Sequence, residues 1–315
     1  MSKQRILVVG EGAFANQLRE QIARIGAGEV DSAGDDFWDT LSLGRLQRHD
    51  CVVTVTGDPE SLLRLNQMCL IVAVDLVVVA LDDGRLVVEC FPFGSSAERA
   101  CVECHFADEA YRQIAERYTS AGLRRVGQPP VAAAGSTGPA VPDAVAAAAE
   151  APFSLRNDPR PPARRLVISA ISGASELVDL ERSTDCAGCE PFQMAPRIVR
   201  TRNRWCARVE GIPGDRRLVD QTLHLSDRLI TRYECGTCGP LAESALYVNH
   251  RANEFDESIA TCPRCGTRAV QVEIRDTFTL GELMERFGST SAPVKYATTN
   301  TPDGPVCFDL EAGGS

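Results

Sequence analysis

The stretch RILVVGEGAFANQL, residues 5–18, joins a short apolar strand to a glycine-containing turn and the start of a helix. Residues 5–10 are mostly apolar, as in a buried strand, and apolar residues then recur at helical spacing as far as Ile25. Gly10 and Gly12 lie in the turn between them, where glycine allows a phosphate to approach the backbone at the N-terminus of a helix. This stretch therefore predicts the β-turn-α start of an α/β fold with a phosphate-binding loop.

The following residues extend this pattern into a sheet. A second strand is predicted at residues 29–31, and the apolar segment at residues 51–56 predicts a further buried strand. Asp58 is placed to cap a helix with the sequence PESLLRLNQMCLIVA. The segments DLVVVAL and RLVVECF are separated by a short turn, which predicts a β-hairpin. We therefore expect a Rossmann-like α/β domain whose sheet is mixed.

The rest of the chain predicts a linker and a second domain. Residues 127–163 are rich in Ala, Pro and Gly and are expected to be flexible, apart from a helix of small residues at DAVAAAAEA. A helix is also predicted over RRLVISAISGASELVDLE. Residues 191–315 predict a small β-rich domain with one late helix, TLGELMERFG, so that the first domain spans residues 1–190.

Charge and hydropathy restrict the partners. The chain of 315 residues has a net charge of -10, and Lys3 and Lys295 are its only lysines. Nucleic acids and anionic membranes attract clustered positive charge, so we expect neither as a partner, but a protein or a small molecule. No apolar run reaches the roughly 18 residues of a membrane-spanning helix, and the N-terminus lacks the pattern of a signal peptide. A cytoplasmic location is expected.

Eight of the thirteen cysteines form four C-x-x-C pairs. The last two pairs, Cys235–Cys238 and Cys262–Cys265, are separated by 23 residues, and each is followed by glycine. Two such turns can arrange four thiolates tetrahedrally, as in a closed structural zinc site, which predicts a zinc ribbon. A redox pair of the thioredoxin type is the alternative, but such a pair usually occurs alone between a strand and a helix.

The other cysteines have less distinctive surroundings. Cys51, Cys69 and Cys90 lie in apolar segments and are expected to pack in the core. Cys206 and Cys307 are alternative nucleophiles, although neither has an evident His or Asp partner. The first two C-x-x-C pairs, Cys101–Cys104 and Cys186–Cys189, are 81 residues apart, and their spacing alone does not join them.

The order of these motifs resembles the ThiF/MoeB superfamily, whose members adenylate ubiquitin-like proteins and sulfur carriers. The likeness rests on the glycine turn, the segment VVTVTGDPE, the helix LLRLNQMC and the phrase FPFGSSAERACVECHF, and it covers residues 5 to about 190. In that family a phrase similar to residues 93–106 carries the first zinc pair. The resemblance therefore implies a second zinc ion, held by Cys101, Cys104, Cys186 and Cys189.

The resemblance also implies a nucleotide site with ATP and magnesium, commonly in a dimer. Gly10 and Gly12 match the phosphate loop, and Asp58 corresponds to a metal-binding aspartate shifted by one place. For a dinucleotide site, Asp31 is the candidate for the acidic residue that follows the glycine loop by about 20 residues. Helix capping explains Asp58 equally well. The late helix TLGELMERFG resembles the start of the ubiquitin-fold tails of such enzymes.

This chain departs from the family where the phosphates are normally clamped. The family has an Asn-Leu-x-Arg segment, a helix with an essential lysine and a further strand, whereas only about 20 residues join Asp31 to Cys51 here. No lysine occurs in residues 4–294, and Arg45 or Arg48 are the available substitutes for the arginine. We interpret the chain as a shortened and diverged relative.

Three functional hypotheses follow. The first is a catalytically degenerate subunit that binds a ubiquitin-like protein, a sulfur carrier or a precursor peptide for a partner enzyme, as a homodimer or heterodimer. The second is an active adenylating enzyme in which Arg45, Arg48 or a residue from a dimer mate replaces the missing cations. Loss of one such group typically costs on the order of 100- to 1000-fold in rate, so loss of several favours the first hypothesis. The third is a dinucleotide-dependent oxidoreductase, for which no His or Lys constellation appears beside Asp31.

Overall fold

The computed structural model describes residues 4–26, 29–34, 37–55, 58–82, 85–94, 100–106, 142–157, 162–169, 172, 174–186, 188–189, 192, 195–200, 220–240, 249–252, 261–267, 270–287, 293–302 and 304–310. These residues form two compact units, one up to Ala195 and one from Pro196 onward. Each unit has its own sheet and its own buried apolar side chains.

The first unit is built on a seven-stranded mixed sheet, as the sequence predicts. In space its strands have the order β2-β1-β3-β4-β5-β6-β7. The first four of these are parallel, and the remaining pairs are antiparallel, including the predicted β4–β5 hairpin. The bounds are β1 (Arg5–Val9), β2 (Glu29–Ala33), β3 (Cys51–Thr54), β4 (Asp75–Asp82), β5 (Arg85–Phe91), β6 (Ala163–Ser169) and β7 (Ser175–Leu180).

In the part of the chain that the structure describes, five helices accompany this sheet. Helix α1 joins β1 to β2, and helix α4 joins β3 to β4. These two connections run in opposite directions across the sheet, so right-handed crossovers place the two helices on opposite faces. Ile22 of α1 and Ala148 of α5 pack against Val53 and Val88 in one core cluster. The bounds are α1 (Gly12–Ile25), α2 (Phe37–Thr40), α3 (Leu43–Leu46), α4 (Pro59–Val72) and α5 (Pro142–Asn157).

Helix α5 lies within the Ala- and Pro-rich segment and confirms the helix predicted at DAVAAAAEA. Its small side chains, Ala148, Ala149 and Ala151, are buried, which allows the helix to approach the sheet closely. The side chain of Gln4 donates a hydrogen bond to the carbonyl of Pro152 at 3.3 Å and so links α5 to the start of β1.

The helix predicted over RRLVISAISGASELVDLE is wrong, because the structure places the β6–β7 hairpin there. Leu166 and Ile168 pack against the core cluster, while Arg165, the residue before Leu166, forms an ion pair with Glu89 on the neighbouring strand. Side chains that alternate between the two faces of the sheet in this way are typical of a strand. Gly173 separates the two strands in the sequence. The adjacent apolar residues at 166–168 obscured the alternation.

The second unit is β-rich with one late helix, as predicted. Its sheet has the order β10-β9-β12-β13-β8, and β11 also pairs with β9. Thr279 and Glu282 form a capping box at the start of α6, in which each side chain accepts a hydrogen bond from the backbone N–H of the other residue. The bounds are β8 (Arg197–Arg200), β9 (Thr222–Cys235), β10 (Gly239–Pro240), β11 (Val270–Thr279), α6 (Leu280–Phe287), β12 (Tyr296–Thr301) and β13 (Gly304–Asp309).

Candidate metal centres and candidate nucleotide site

The first four-cysteine cluster joins two segments that are 81 residues apart in sequence. The Sγ atoms of Cys101 and Cys186 are 3.7 Å apart, and those of Cys104 and Cys189 are 3.6 Å apart. All four sulfurs lie within 4.8 Å of one another. A tetrahedral site with metal–sulfur bonds of about 2.3 Å has edges of about 3.8 Å, whereas a disulfide requires about 2.05 Å. The cluster can therefore hold a metal ion through sulfur alone.

A buried polar contact from α4 supports this cluster. The backbone N–H of Val102 donates to Oδ1 of Asn66 at 3.1 Å, and the Asn66 amide donates to Oε1 of Glu103 at 3.4 Å. Asn66 is fully buried, and the Glu103 carboxylate occupies the space where Gly188 would otherwise carry a Cβ atom. Asn66 thus connects α4 to the first cysteine turn, and Glu103 contacts the second.

Arg182 places a positive charge beside the first cluster. Its guanidinium hydrogen-bonds Cys189, which raises the pKa of Arg182. Hydrogen bonds from the neighbouring thiols, chiefly that of Cys101, and from Arg182 lower the pKa of Cys189 to about 7. A positive side chain can offset the excess negative charge of four thiolates around a divalent cation. Sequence reasoning missed Arg182, although its position four residues before Cys186 was the available signal.

An ion pair between Arg165 and Glu89 lies beside the turn that carries Cys101 and Cys104. Arg165 donates from Nε to Oε1 of Glu89 at 2.6 Å, and its guanidinium lies 5.1 Å from the centre of the Phe106 ring. The Glu89 side chain is only 4% exposed. Burial raises the pKa of Glu89 above its ordinary value, although Arg165 and His105 lower it in part. The pair joins β5 and β6 to the residues that follow Cys104.

The second four-cysteine cluster lies in the second unit, at the end of β9 and before β11. The Sγ atoms of Cys235 and Cys265 are 3.6 Å apart, and with Cys238 and Cys262 all four lie within 4.8 Å. The glycine after each pair, at positions 239 and 266, has a positive φ of 75° or 69°, so the conformation of each turn favours glycine.

Hydrogen bonds stabilise thiolates in the second cluster. Backbone N–H groups of Cys238 and Thr237 lower the pKa of Cys235 to about 6. The hydroxyl of Thr267 lies 3.0 Å from the sulfur of Cys265, and the pKa of Cys265 is also lowered, mainly by this contact. Thiolates are the form that binds metal, so these contacts prepare the second cluster for a cation.

The cysteines outside the clusters do not form a nucleophilic site in the described part of the chain. Cys307 is fully buried in β13, and burial raises its pKa, which favours the unreactive thiol. Cys51 and Cys69 are buried and Cys90 is half-buried, consistent with the packing role predicted for them. Cys206 lies outside the described residues.

The glycine turn lies at the carboxyl ends of β1 and β3. At this point the connection from β1 to β2 and the connection from β3 to β4 run to opposite sides of the sheet. Ligands of open α/β sheets bind in this crevice. Gly10 has φ 127° and donates its N–H to the carbonyl of Ala33 at 3.0 Å. A Cβ atom at Gly10 would overlap the side chain of Val55, whereas the space beside Gly12 is open. The described residues thus leave open space beside Gly12, at the N-terminus of α1, where a phosphate could approach the backbone.

Asp31 lies in the middle of β2, opposite Leu7, and not at the carboxyl end of the strand. Its Oδ2 atom lies 2.7 Å from Nε2 of His49, whose side chain is only 3% exposed. Nδ1 of His49 is buried and has no hydrogen-bond partner in the described ranges. Asp31, the acidic residue expected to contact a bound nucleotide, thus contacts the buried side chain of His49 instead.

Asp58 caps helix α4. Its Oδ2 atom accepts a hydrogen bond from the backbone N–H of Ser61 at 2.8 Å, and Pro59 occupies the first helical turn. The capping role that the sequence predicts for Asp58 is confirmed. The neighbouring residues Thr56 and Gly57, which carry the resemblance to a magnesium-binding aspartate, lie outside the described residues.

Arg45 lies close to the carboxyl end of β2. Its guanidinium donates to the carbonyl of Ser32 at 3.5 Å, and the next residue, Ala33, contacts Gly10. Of the two arginines predicted as substitutes for the phosphate clamp, Arg45 has a contact with the strand beside the glycine turn. For Arg48 the structure gives no side-chain contact in the described ranges.

Comparisons with known proteins complete this description. No family model matches the chain, and no curated protein matches it. Similar solved structures include a heterocyclase in complex with substrate and cofactor (16% identity, TM-score 0.40) and the heterocyclase TruD (15%, 0.36). Another is E. coli MccB (16%, 0.37). Each alignment covers 59% of this chain, and it covers 25%, 27% and 65%, respectively, of those proteins.

Within the described residues, no helix combines the length and the apolar character that crossing a membrane requires.

Proposed function

We propose that this chain is a diverged ThiF/MoeB-type subunit that binds a ubiquitin-like protein, a sulfur carrier or a precursor peptide for a partner enzyme. In this role it does not itself adenylate the bound chain. The order of the sheet supports the relationship. The usual dinucleotide-binding order is 3-2-1-4-5-6. Without its strand 3 this order begins 2-1-4-5, and these four strands correspond to β2-β1-β3-β4 here.

One observation carries the proposed loss of catalysis. Both carboxylates expected to bind the nucleotide or its metal ion have partners within the protein, Asp31 with His49 and Asp58 with the N-terminus of α4. The sequence also has no lysine from residue 4 to residue 294. Adenylyl transfer depends on positioned charges, and loss of one such group typically costs on the order of 100- to 1000-fold in rate. An enzyme without several of them would retain little activity.

We further propose that both cysteine clusters hold structural zinc, and that the second unit is a zinc ribbon. Each cluster supplies four sulfurs, the donor set of closed zinc sites, so no coordination position is left for water or a substrate. The contribution of the zinc ions would be to fix the chain segments around them. The chemistry of the partner enzyme would therefore not use these ions.

The second candidate function is an active adenylating enzyme. It is favoured by the position of Arg45 near Ser32 and by the open space beside Gly12. In that case Arg45 would supply the positive charge that a lysine supplies in related enzymes.

ATP–pyrophosphate exchange separates the two functions. The purified chain would be incubated with ATP, magnesium and a small protein or precursor peptide encoded beside its gene, with an active ThiF-type enzyme as the positive control. We expect binding of the peptide without exchange above background, both for the wild type and for Arg45→Ala. Robust exchange that Arg45→Ala abolishes would establish the second function instead.

A further inference from the structure

Strand β7 ends the seven-stranded sheet with an open edge. The N–H of Ser169 donates to the carbonyl of Ala174 at 2.9 Å, which makes these two residues a hydrogen-bonded pair. Such pairs alternate along an antiparallel ladder, so the backbone groups of Ser175, Leu177 and Asp179 point away from β6. No backbone hydrogen bond of these three residues occurs in the described structure. Within the described residues, they form a row of backbone donors and acceptors that point away from β6.

The side chains of this edge are exposed on both faces of the sheet. Leu177 is 60% exposed and Val178 is 42% exposed, and they lie next to each other on opposite faces. The other side chains from Ser175 to Asp179 are exposed as well. Soluble proteins usually protect a free strand edge from other chains by covering it, shortening it or charging it. This edge is uncovered and has two large apolar side chains at its centre.

The charge of this region indicates which chain could pair with it. Residues 176–185 contain four acidic side chains and one basic side chain. Two copies of the edge paired with each other would place two sets of these acidic side chains, including Glu176 and Asp179, on one joined sheet, where like charges repel. Arg164 neutralises only Asp179. The edge therefore disfavours a second copy of itself and favours a positively charged strand.

We propose that the free edge of β7 binds an extended, positively charged segment of a partner peptide as an additional β-strand. Main-chain hydrogen bonds to Ser175, Leu177 and Asp179 would supply affinity, while apolar and basic side chains would contact the exposed edge. This inference rests on the proposed peptide-binding function and assigns it a surface. The edge residues 175–179 include no residue of the glycine turn and none of the eight clustered cysteines.

A proline at position 177 tests the edge without removing bonds within the hairpin. Because the N–H of Leu177 points outward, Leu177→Pro blocks one outward hydrogen bond and leaves the ladder to β6 complete. Leu177→Thr is the matched control, since it changes the side chain but keeps the N–H. Ser175→Pro, at the first residue of β7, repeats the test if Leu177→Pro fails to fold. Metal content and thermal unfolding check the fold of each variant.

Binding is measured by the fluorescence anisotropy of two labelled peptides, RVRTRVR and its acidic counterpart EVETEVE. We expect the wild type to prefer the basic peptide by at least about tenfold, and Leu177→Pro to weaken its binding by about tenfold. Leu177→Thr should stay within about threefold of the wild type. Failure of the wild type to bind, or equal binding by Leu177→Pro, would overturn the proposed surface.

Light scattering and pyrophosphate exchange distinguish the remaining outcomes. A dimer of the wild type that Leu177→Pro converts to a monomer would assign the edge to a second copy and overturn the proposal. Peptide binding that is insensitive to Leu177→Pro rejects the β7 edge but leaves the proposed function intact. Exchange activity in the wild type would contradict the proposed function and leave the edge result unaffected.

Discussion

The Nε2 atom of His49 lies 2.7 Å from Oδ2 of Asp31, and the imidazole is almost completely buried. We expect Asp31→Ala to reduce the free energy of unfolding by about 1–3 kcal/mol, because His49 loses its hydrogen-bond partner inside the protein. The control Glu29→Ala removes an exposed carboxylate of the same strand and should change stability by less than about 0.5 kcal/mol. Urea unfolding measures both, and equal effects would contradict a stabilising role for the pair.

Replacement by alanine should lower the stability of the fold more at Gly10 than at Gly12. Both have positive φ angles, which cost a residue with a side chain on the order of 1–2 kcal/mol. Only at Gly10 does the added Cβ overlap Val55, so Gly10→Ala should be more destabilising by a further 1–3 kcal/mol or so, roughly the cost of overpacking. Adding Val55→Ala should recover part of the loss in the double variant. No recovery would show that Val55 does not restrict Gly10.

Asn66 is expected to support the first metal centre. Asn66→Ala leaves the buried N–H of Val102 without its acceptor, which costs about 1–3 kcal/mol, and should accelerate metal loss to a chelator. Asn16→Ala is the matched control, because the Asn16 side chain is exposed and its Oδ1 atom accepts a hydrogen bond from the neighbouring Arg19. Unfolding and chelator competition measure the two effects. If Asn66→Ala releases metal as slowly as Asn16→Ala, the contact does not position the cysteine turn.

Metal content tests the two clusters separately. We expect two zinc ions per wild-type chain, and one in Cys186→Ser or Cys265→Ser, because each substitution breaks one four-sulfur set. Cys307→Ala, a buried cysteine outside the clusters, should retain both ions. Elemental analysis of freshly purified protein measures these numbers. A wild-type value near zero would exclude both proposed sites.

Glu89 predicts a pH dependence of stability. Burial raises its pKa above the ordinary value of 4.5, so the folded protein binds this proton more tightly than the unfolded chain does. The contribution of Glu89 is therefore greatest below pH 4.5 and decreases as pH rises through the folded-state value. Glu89→Gln lacks this titration, so the wild type should lose stability relative to the variant between pH 4.5 and pH 7. A constant difference between their unfolding free energies would contradict the raised pKa.

The sequence predicts the strands that consist almost entirely of apolar residues, such as β1 and β3. It also predicts the hairpin that begins at Asp75 and the capping role of Asp58. The β6–β7 hairpin could not be predicted, because a short apolar run such as residues 166–168 fits either a strand or a helix. In that case the partner strand β5 decides the conformation, through pairs such as Val88 with Leu166. Local periodicity does not contain this information.

The site shows the same division between local and long-range information. Glycine after each C-x-x-C pair indicated the turns of the second cluster, and the structure brings all four sulfurs together there. Pairing of Cys101 with Cys186 depended on a family resemblance, because no spacing rule joins cysteines so far apart. Contact between Asp31 and His49 depends on how β2 lies beside the residues before β3, which the sequence alone did not reveal.

The first four-cysteine cluster also has a consequence for the length of the chain. A metal bound there fastens Cys104 to Cys186, so the residues between them become a closed loop whose ends are fixed. The entropy of closing a flexible loop grows only with the logarithm of its length, at about 0.6 kcal/mol for each doubling. Outside α5, β6 and β7, the connection between the two cysteine turns can therefore gain or lose residues with little effect on the stability of the sheet. Insertions there are a route by which related chains could acquire new segments while keeping the same metal-fastened core.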